Sequence, residues 1–394
     1  MSDRNEPSAL PVALAGTLLL TAAMGIGRFA YTPLLPPLRE ALGWSLAAAG
    51  DVASANFLGY LLGALLAAPL AQRGSRTRWL LAGMLGSALT TALGGVVDGL
   101  GAWLLLRLLS GVASAFCLVL GTATVVEALV DRKRPGLVAL HFAGVGLGIL
   151  LSVAVIELLR VAAGSVHAMW AGLGLVSALA LTWSWSVLRR LRPHAPGSGV
   201  APPASPHPPL ARAALARLIV AYGLFGFGYV VTATFIVAMA RGGLAHAALL
   251  EPLTWGVVGL LAAPSVALWQ HLARRLGIFT ALRVAFAVEA CGVLLAGYGE
   301  GTFALLVGGG LLGGTFMGIT ALGLSAARDI AGRHPGRVLG WMTAAFGLGQ
   351  LLGPAVAGRL AESTGGFGAP SLLAAALLVG GLLLLRAPER NPEN

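Results

Sequence analysis

Residues 25–38 of the chain read GIGRFAYTPLLPPL and place one arginine, Arg28, inside an otherwise apolar run. The stretch GIGRFAYT at 25–32 aligns with GFGYVVTA at 226–233, at an offset of 201 residues. The stretch GLGILLSVAV at 146–155 aligns with GLGQLLGPAV at 347–356 at the same offset. Two alignments at one offset indicate that the chain contains two related halves.

Composition defines the class of protein that these halves form. The chain has 394 residues, of which 57% are hydrophobic and 10% are charged, with a mean hydropathy of +0.85. Soluble domains carry about 25% charged residues, so this composition is typical of a polytopic membrane protein. The net charge of +11 does not indicate nucleic-acid binding, because the basic residues form short clusters between apolar segments without interleaved aromatics.

A membrane-spanning helix needs about 20 predominantly apolar residues. Applied to the chain, this length predicts spans at 10–36, 44–71, 79–97, 101–127, 137–159, 166–188, 216–240, 251–272, 278–299, 302–325, 337–361 and 369–386. We therefore predict an all-α integral membrane protein with twelve transmembrane helices in two pseudo-symmetric six-helix bundles. The bundles comprise residues 1–190 and 212–394, and a proline-rich cytoplasmic linker at 191–211 joins them.

The distribution of Lys and Arg predicts the orientation, because cytoplasmic loops carry an excess of these residues. With the amino terminus in the cytoplasm, basic clusters at 73–78, 132–134, 189–192 and 274–275 all face inward. The outer side then receives only Arg39, Arg160, Arg241 and Arg359. Both termini are therefore expected to be cytoplasmic.

Three motifs resemble those of the major facilitator superfamily. RLLSGVASA at 107–115 is similar to the family's R-x-x-Q-G pattern, with Ser110 in place of glutamine. LAQRGSRTRW at 70–79 resembles the family's gating loop but lacks its aspartate. GQLLGPAVAG at 349–358 resembles the glycine-proline motif that many proton antiporters carry in span 5, whereas here it lies in span 11.

The opening stretch further resembles the YbfB/YjiJ-like branch of that superfamily, and the resemblance covers nearly the whole chain. It implies two bundles that rock against each other, so that a site between them faces alternate sides of the membrane. It also implies that spans 1, 4, 7 and 10 line the central cavity. Arg28 and Arg107 would then lie on cavity helices of the first half.

Arg28 has two interpretations at this stage. Counting along spans 1 and 2 at 1.5 Å per residue places Arg28 and Asp51 at similar depths, which predicts a salt bridge. The pair could simply hold the two helices together. Alternatively, an anionic substrate could compete with Asp51 for the planar donor groups of Arg28 and so trigger the change of state. For Arg107, whose family counterpart is associated with proton movement, a functional and a structural role both remain open.

Other polar groups within the spans are candidates for substrate binding or coupling. Glu289 lies near the middle of span 9 and could carry a proton. Tyr222 and Tyr229 are seven residues apart and share one face of span 7, where they could wall an aromatic pocket together with Tyr31. Asn56 and Gln350 complete the predicted set.

A second set of charges is predicted to form a cytoplasmic gate. Glu127 and Asp131 lie at the end of span 4, opposite Arg73 and Arg76 of the loop between spans 2 and 3. Pairs between them could latch the gate, or they could form a solvated charge cluster. The two cysteines lie in separate spans, so no metal site is expected.

Taken together, these features predict a secondary transporter of the bacterial inner membrane. Its cargo would be a small organic solute, with an anion preferred because the cavity helices hold arginines, and transport would be coupled to protons. A multidrug or metabolite exporter is the alternative within transport. An integral-membrane enzyme is disfavoured, since the chain has no catalytic motif and no large soluble domain. We expect a monomer in the lipid bilayer, with no cofactor and no nucleic-acid partner.

Overall fold

A computed structural model describes residues 6–70, 76–162, 164–191, 209–241, 247–331 and 335–386. Within these ranges the chain is helical and contains no strand. The predicted linker falls largely outside them, as does Arg73. The helices are α1 (Ala9–Leu20), α2 (Tyr31–Leu42), α3 (Leu46–Leu70), α4 (Arg76–Leu93), α5 (Leu100–Asp131), α6 (Val138–Val161), α7 (Val166–Leu188), α8 (Pro209–Arg241), α9 (Ala247–Leu276), α10 (Ile278–Tyr298), α11 (Gly301–Ala331), α12 (Pro335–Thr364) and α13 (Gly368–Leu384).

Nine helices in the described ranges are long and apolar enough to cross a membrane, counting Ala9–Leu42 as one. The three remaining predicted spans coincide with α4, α12 and α13. Of these, α4 begins with two arginines, α12 carries several charged residues, and α13 has only 17 residues. The structure therefore bears out a multi-pass helical protein, and the number of twelve stays a prediction.

The first predicted span is broken where the sequence places Arg28. A π-helical segment, Thr21–Ile26, follows α1, and a turn at residues 27–30 precedes α2. The Gly27 N–H donates to the Ala22 carbonyl at 2.8 Å, which is one residue farther than in an α-helix. Pro33 has no N–H group, so the first turn of α2 cannot continue the regular ladder. Carbonyl groups of this turn are left free for other donors.

Two helix pairs form the largest contacts between the halves of the chain, namely α3 with α12 and α6 with α9. The repeat relates these pairs, because α3 corresponds to α9 and α6 to α12. Glycine permits the close approach in both: an added Cβ at Gly50 would meet the Pro354 carbonyl oxygen, and one at Gly146 would meet the Ala263 backbone nitrogen. Close packing through glycine is common between membrane helices.

We call the end of the structure that contains Arg76, Asp131 and Leu188 the linker end. The opposite end, which contains Leu42 and Arg241, is the distal end. α1, at the linker end, packs on α5, α6 and α7 of its own half, whereas α2, at the distal end, packs mainly on α8 of the second half and makes smaller contacts with α3, α7 and α9. The break in the first span thus separates a segment held by its own half from a segment held mainly by the other half.

Two contacts at the distal end join residues that are equivalent in the repeat. The Thr32 hydroxyl donates to the Ala233 carbonyl at 2.7 Å, and Arg241 pairs with Glu40. Each pair is separated by 201 residues, the offset of the repeat. Equivalent residues can touch only close to the axis that relates the halves, so this axis passes between α2 and α8.

Candidate functional site

Arg28 lies in the turn between the π-helical segment and α2, and only 4% of it is exposed. Its guanidinium carbon is 4.6 Å from the ring centroid of Phe57 and 4.2 Å from that of Tyr60, both on α3. The Phe29 ring lies at 5.7 Å. Such cation–π contacts stabilise a buried guanidinium, and more strongly when it is desolvated. Arg28 is therefore held by aromatic faces.

The hydrogen-bonding edge of the same group is not used in full. The Nε and Nη2 atoms of Arg28 are buried and have no hydrogen-bond partner among the described residues. Buried donors in folded proteins are usually paired, and an unpaired charged donor is costly. The site therefore has unmet capacity for an acceptor, and the planar donor groups of arginine match a carboxylate.

The predicted salt bridge between Arg28 and Asp51 is absent. Both carboxylate oxygens of Asp51 accept from Arg359 on α12, at 2.7 and 2.8 Å. The estimate of depth was misleading because the first span is not a regular helix, so counting along it does not give the position of Arg28. Asp51 is also partly exposed and points toward α12 at the distal end. It joins the two halves there and does not neutralise the buried arginine.

Arg107 of α5 has a clear structural role in this conformation. Its Nη1 donates to the Gly27 carbonyl at 2.9 Å, and its Nη2 donates to the Arg28 carbonyl at 3.0 Å. Ser110, which replaces the family's glutamine, donates to the same Gly27 carbonyl at 3.2 Å. These donors satisfy carbonyl groups released by the break in the first span, as buried backbone requires. Arg107 thus holds in place the turn that presents Arg28.

A small cavity of about 10 Å³ lies beside this turn, between the two halves. Its wall is formed by Arg28, Phe29, Tyr31, Thr32, Ala53, Phe57 and Arg107 of the first half and by Val230, Ala233 and Thr234 of α8. This volume is about enough for one water molecule and is far below the roughly 300–1,000 Å³ that is usual for small-molecule pockets, so the cavity has to widen before it can hold a solute. It brings both buried arginines of the first half to one enclosed space.

Tyr31 and Asn56 support the cavity wall. The Tyr31 hydroxyl donates to the Ala49 carbonyl at 2.8 Å, and the Tyr31 ring lies 5.2 Å from the guanidinium carbon of Arg107. The Asn56 amide donates to the Arg107 carbonyl at 3.0 Å, while its Oδ1 has no partner among the described residues. Both side chains fix the backbone near the arginines.

Tyr222 and Tyr229 of the predicted aromatic wall belong to one larger stack of rings in the second half, and their role as the wall of a substrate pocket stays a prediction. Tyr229 stacks on Phe316 of α11 at 5.7 Å and on Phe346 of α12 at 5.8 Å, and Tyr222 stacks on Phe346 at 4.9 Å. The amide of Gln350 donates to the Tyr229 hydroxyl. Tyr31 is not part of this stack. Phe29 instead connects the stack to the first half, since its ring meets Phe316 at 5.8 Å.

Glu289 is fully buried on α10, where the Thr315 hydroxyl of α11 is hydrogen bonded to its Oε2. Its position outside the cavity wall distinguishes it from the two arginines.

The predicted gate pair forms, but within one half. Arg76 donates to both carboxylate oxygens of Glu127, at 2.9 and 2.6 Å. Because α4 and α5 belong to the same half, this pair ties two neighbouring helix ends together and does not bridge the halves. Asp131 lies at the end of α5, and Arg73 lies outside the described residues. Among the residues that the structure describes, no group of three or more His, Cys, Asp or Glu could hold a metal ion.

Reasoning from the sequence missed the rings that enclose Arg28. Phe57 and Tyr60 are three residues apart and therefore share a face of α3, which is a readable signal. Phe316 and Phe346 gave no signal, because single aromatic residues in apolar helices are common. The repeat offset also places Arg28 opposite Tyr229, so the residues at equivalent positions in the two halves are a cation and an aromatic ring.

Comparison with known proteins identifies the family. The family described as uncharacterised MFS-type transporter YbfB matches residues 20–386, and the chain belongs to it. The uncharacterized MFS-type transporter YceJ of Bacillus subtilis (strain 168) is 36% identical over 93 residues. That match spans 24% of this chain and 24% of that relative, so the chain spans about a quarter of its length.

A solved structure supports the same fold. The crystal structure of a mutant of the nucleoside transporter NupG has a TM-score of 0.73, with 96% of this chain and 98% of that chain covered. At 15% identity this likeness shows the fold alone. Family membership makes the chain a multi-pass membrane transporter of a small molecule and confirms the prediction that it is not an enzyme.

Proposed function

We propose that the chain is a secondary active transporter that moves a small organic anion across the bacterial inner membrane, by alternating access and with proton coupling. Twelve spanning helices form two bundles, residues 1–190 and 212–394, which a cytoplasmic linker at 191–211 joins. Both termini lie in the cytoplasm. The transporter works as a monomer surrounded by lipid, without a bound cofactor or nucleic acid.

The unmet donor capacity of Arg28 supports the choice of an anion. The guanidinium is buried at a cavity between the halves, its faces are covered by rings, and two of its donor nitrogens have no partner. A buried charge in a membrane is a functional site by default. Because Asp51 is occupied by Arg359, it does not complete Arg28, and a carboxylate from outside the chain has the geometry that matches the free donors.

The distribution of contacts supports alternating access. Arg241 with Glu40, Arg359 with Asp51 and Thr32 with Ala233 all join the halves at the distal end. At the linker end, the ion pair of Arg76 with Glu127 lies within the first half. We assign this conformation to a state closed on the outer side, in which the linker end is the cytoplasmic one.

Thermal unfolding of the purified protein with different solutes tests the proposed substrate class. Benzoate, phosphate, choline and glucose serve as probes for an organic anion, an inorganic anion, a cation and a neutral solute. The variant is Arg28→Gln. Arg283→Gln is the matched control, because Arg283 is also an arginine of a spanning helix but is exposed on α10.

Benzoate is expected to raise the melting temperature of the wild type and of Arg283→Gln but not of Arg28→Gln. The reason is that Arg28 has two unpaired donor nitrogens at the cavity, whereas Arg107 uses both terminal nitrogens to bind the turn and has only its Nε unpaired. Stabilisation by choline alone, or equal stabilisation by benzoate in both variants, would contradict the proposal.

The stack of rings in the second half favours a second candidate, an exporter of planar apolar molecules. Tyr222, Tyr229, Phe316 and Phe346 form a buried aromatic cluster, which meets the cavity wall through the contact of Phe316 with Phe29. If the protein exports a planar cation, such a cation should raise the melting temperature of the wild type and of Arg28→Gln. It should not raise the melting temperature of Tyr229→Ala.

A further inference from the structure

Glu289 is the one acidic side chain among the described residues that is fully buried. It lies in the middle of α10, and its Oε1 has no hydrogen-bond partner among those residues. The carboxyl group is shielded from solvent, and its other oxygen contacts the Thr315 hydroxyl. An isolated ionised carboxylate in an apolar environment is so unfavourable that the group takes up a proton instead.

The hydrogen bonds of Thr315 agree with a protonated carboxyl group. The Thr315 hydroxyl lies 2.6 Å from the carbonyl oxygen of Leu311, the usual partner of a threonine inside a helix. A hydroxyl group has a single hydrogen to donate but can accept as well. When that hydrogen is on the Leu311 carbonyl, the contact with Glu289 needs a donor on the carboxyl oxygen. In that arrangement the carboxyl O–H of Glu289 donates to the Thr315 hydroxyl, and the Thr315 hydroxyl donates to the Leu311 carbonyl.

Thr315 also connects Glu289 to the interface between the halves. The next residue, Phe316, stacks on Tyr229 and meets the Phe29 ring of the first half at 5.8 Å. A motion that separates the halves would break the contact between Phe29 and Phe316, which lies one residue from Thr315 on α11. Thr315, which is hydrogen bonded to Glu289, is therefore one residue away from a ring whose contact depends on the relative position of the halves.

Few other charged or titratable groups lie close to Glu289. On α8, Tyr229 interacts electrostatically with Glu289, and it also interacts electrostatically with Arg28. The segment Gly368–Leu384 that forms α13 contains no titratable residue. On α10 itself, Cys291 is two residues and Arg283 is six residues from Glu289, and both of these side chains are exposed, whereas Glu289 is buried. The remaining groups on α9, α10 and α11 lie near helix ends and are Glu251, His271, Arg274, Arg275, Tyr298, Arg328 and Asp329.

We propose that Glu289 is the site of the coupling proton. The carboxyl group holds the proton while the halves are in contact at Phe29 and Phe316. When α11 moves, the O–H bond breaks, and the proton passes to water and leaves a carboxylate. This assignment deepens the proposed function, and it rests on that function for the identity of the co-transported molecule, whereas the protonation of Glu289 can be tested without any substrate.

Infrared difference spectroscopy of the reconstituted protein, recorded between acidic and alkaline pH, tests the protonation. The wild type should show the C=O stretch of a buried protonated carboxyl group at neutral pH. Glu289→Gln should lack this band, and Thr315→Val should shift it, because valine removes the hydrogen-bond acceptor and keeps the shape. Glu251→Gln, which changes an acidic residue of α9 paired with Arg241, should leave the band unchanged.

A band that persists in Glu289→Gln, or is absent from the wild type, would overturn the assignment. Melting temperatures verify that the variants are folded. If Glu289→Gln does not fold, Thr315→Val provides the same test, since an unshifted band in that variant would also contradict the proposal.

The link to the interface is tested with Phe29→Ala. The pH midpoint of the Glu289 band should fall by about one unit, a tenfold loss of proton affinity, because α11 is released. Phe142→Ala removes a ring of α6 in the first half and should leave the midpoint unchanged. Equal midpoints in the wild type and Phe29→Ala would reject coupling.

The two proposals fail in different ways. If benzoate does not stabilise the wild type but the Glu289 band behaves as described, the anion assignment is wrong and the proton site stands. If benzoate binds through Arg28 but the band is missing, only the proton site is wrong.

Discussion

Arg28 and Tyr229 occupy equivalent positions in the two halves of the repeat, yet their surroundings differ. Arg28 lies in a turn between two helices, and its guanidinium is covered by rings from its own half. Tyr229 lies inside the continuous helix α8 and is itself one ring of a stack. The same place in the repeat thus provides a cation at the cavity wall in the first half and a buried aromatic ring in the second half, next to the wall residue Val230. A cargo that satisfies both has an anionic end and a flat apolar part.

The broken helix exists only in the first half because that half supplies the donors that a break requires. Arg107 donates to two carbonyl groups of the turn, and Ser110 supports one of them. A break without such donors would leave buried carbonyl groups unpaired in the membrane. The difference between the halves therefore depends on Arg107 as much as on Arg28.

The largest effect is expected when the donors of the turn are removed. Arg107→Ala leaves the carbonyl groups of Gly27 and Arg28 without their guanidinium partner, at roughly 1–3 kcal/mol for each buried group. The melting temperature in detergent should fall by far more than in Ser110→Ala, where one longer hydrogen bond is lost. Equal, small decreases in the two variants would show that Arg107 does not hold the turn.

A smaller effect is expected from the aromatic side of the comparison. Tyr229→Phe keeps the stacked rings but removes the acceptor for the buried Gln350 amide, at roughly 1–3 kcal/mol. Thermal unfolding measures the loss. Tyr222→Phe is the control, because the Tyr222 hydroxyl makes a longer bond of 3.3 Å to the Thr320 carbonyl and should matter less.

The contacts between the halves at the distal end should have a smaller effect still. Arg359→Ala removes the pair with Asp51, and an exposed ion pair contributes about 0.2–1 kcal/mol. The population open at the distal end should rise by a factor of a few, seen as longer distances between spin labels at Ser45 and Ser363. Arg160→Ala is the control, since the Glu157 partner of Arg160 lies on the same helix. An identical distance distribution in wild type and Arg359→Ala would show that this ion pair does not help to hold the distal end closed.

The weakest effect concerns pH. At the exposed end of α12, beyond the predicted span, the Ala47 N–H donates to Glu362 at 2.9 Å and holds the pKa of that carboxyl below its usual range. A lowered pKa means that the carboxylate supports the contact at neutral pH and that this support is lost as the pH falls through the lowered value. The same spin-label distances should therefore lengthen slightly in acid, and Glu362→Gln should abolish that response.

The fold was largely predictable from the sequence, because apolar length and the repeat at one offset constrain a membrane protein strongly. Each predicted span overlaps a helix of the structure. The site was less predictable. The pairing of Arg28 with Asp51 assumed a regular first helix, whereas the π-helical segment and Pro33 make it irregular. The enclosing rings of Phe57 and Tyr60 could have been found from their spacing, but the role of Arg107 depends on carbonyl groups that only the broken helix exposes.

The central claim is that Arg28 makes the cavity between the halves attractive to anions, and chemical labelling of a cavity residue tests it without knowledge of the substrate. Ala53 lies on the cavity wall, so Ala53→Cys is introduced into a chain whose Cys117 and Cys291 are replaced by serine. The thiol then reacts with an anionic sulfonate reagent or a cationic trimethylammonium reagent of similar size. The account predicts at least tenfold faster reaction with the anionic reagent, a typical size for electrostatic attraction in a cleft, and a ratio near one after Arg28→Gln. Equal rates with Arg28 present, or an anionic preference that survives Arg28→Gln, would contradict it.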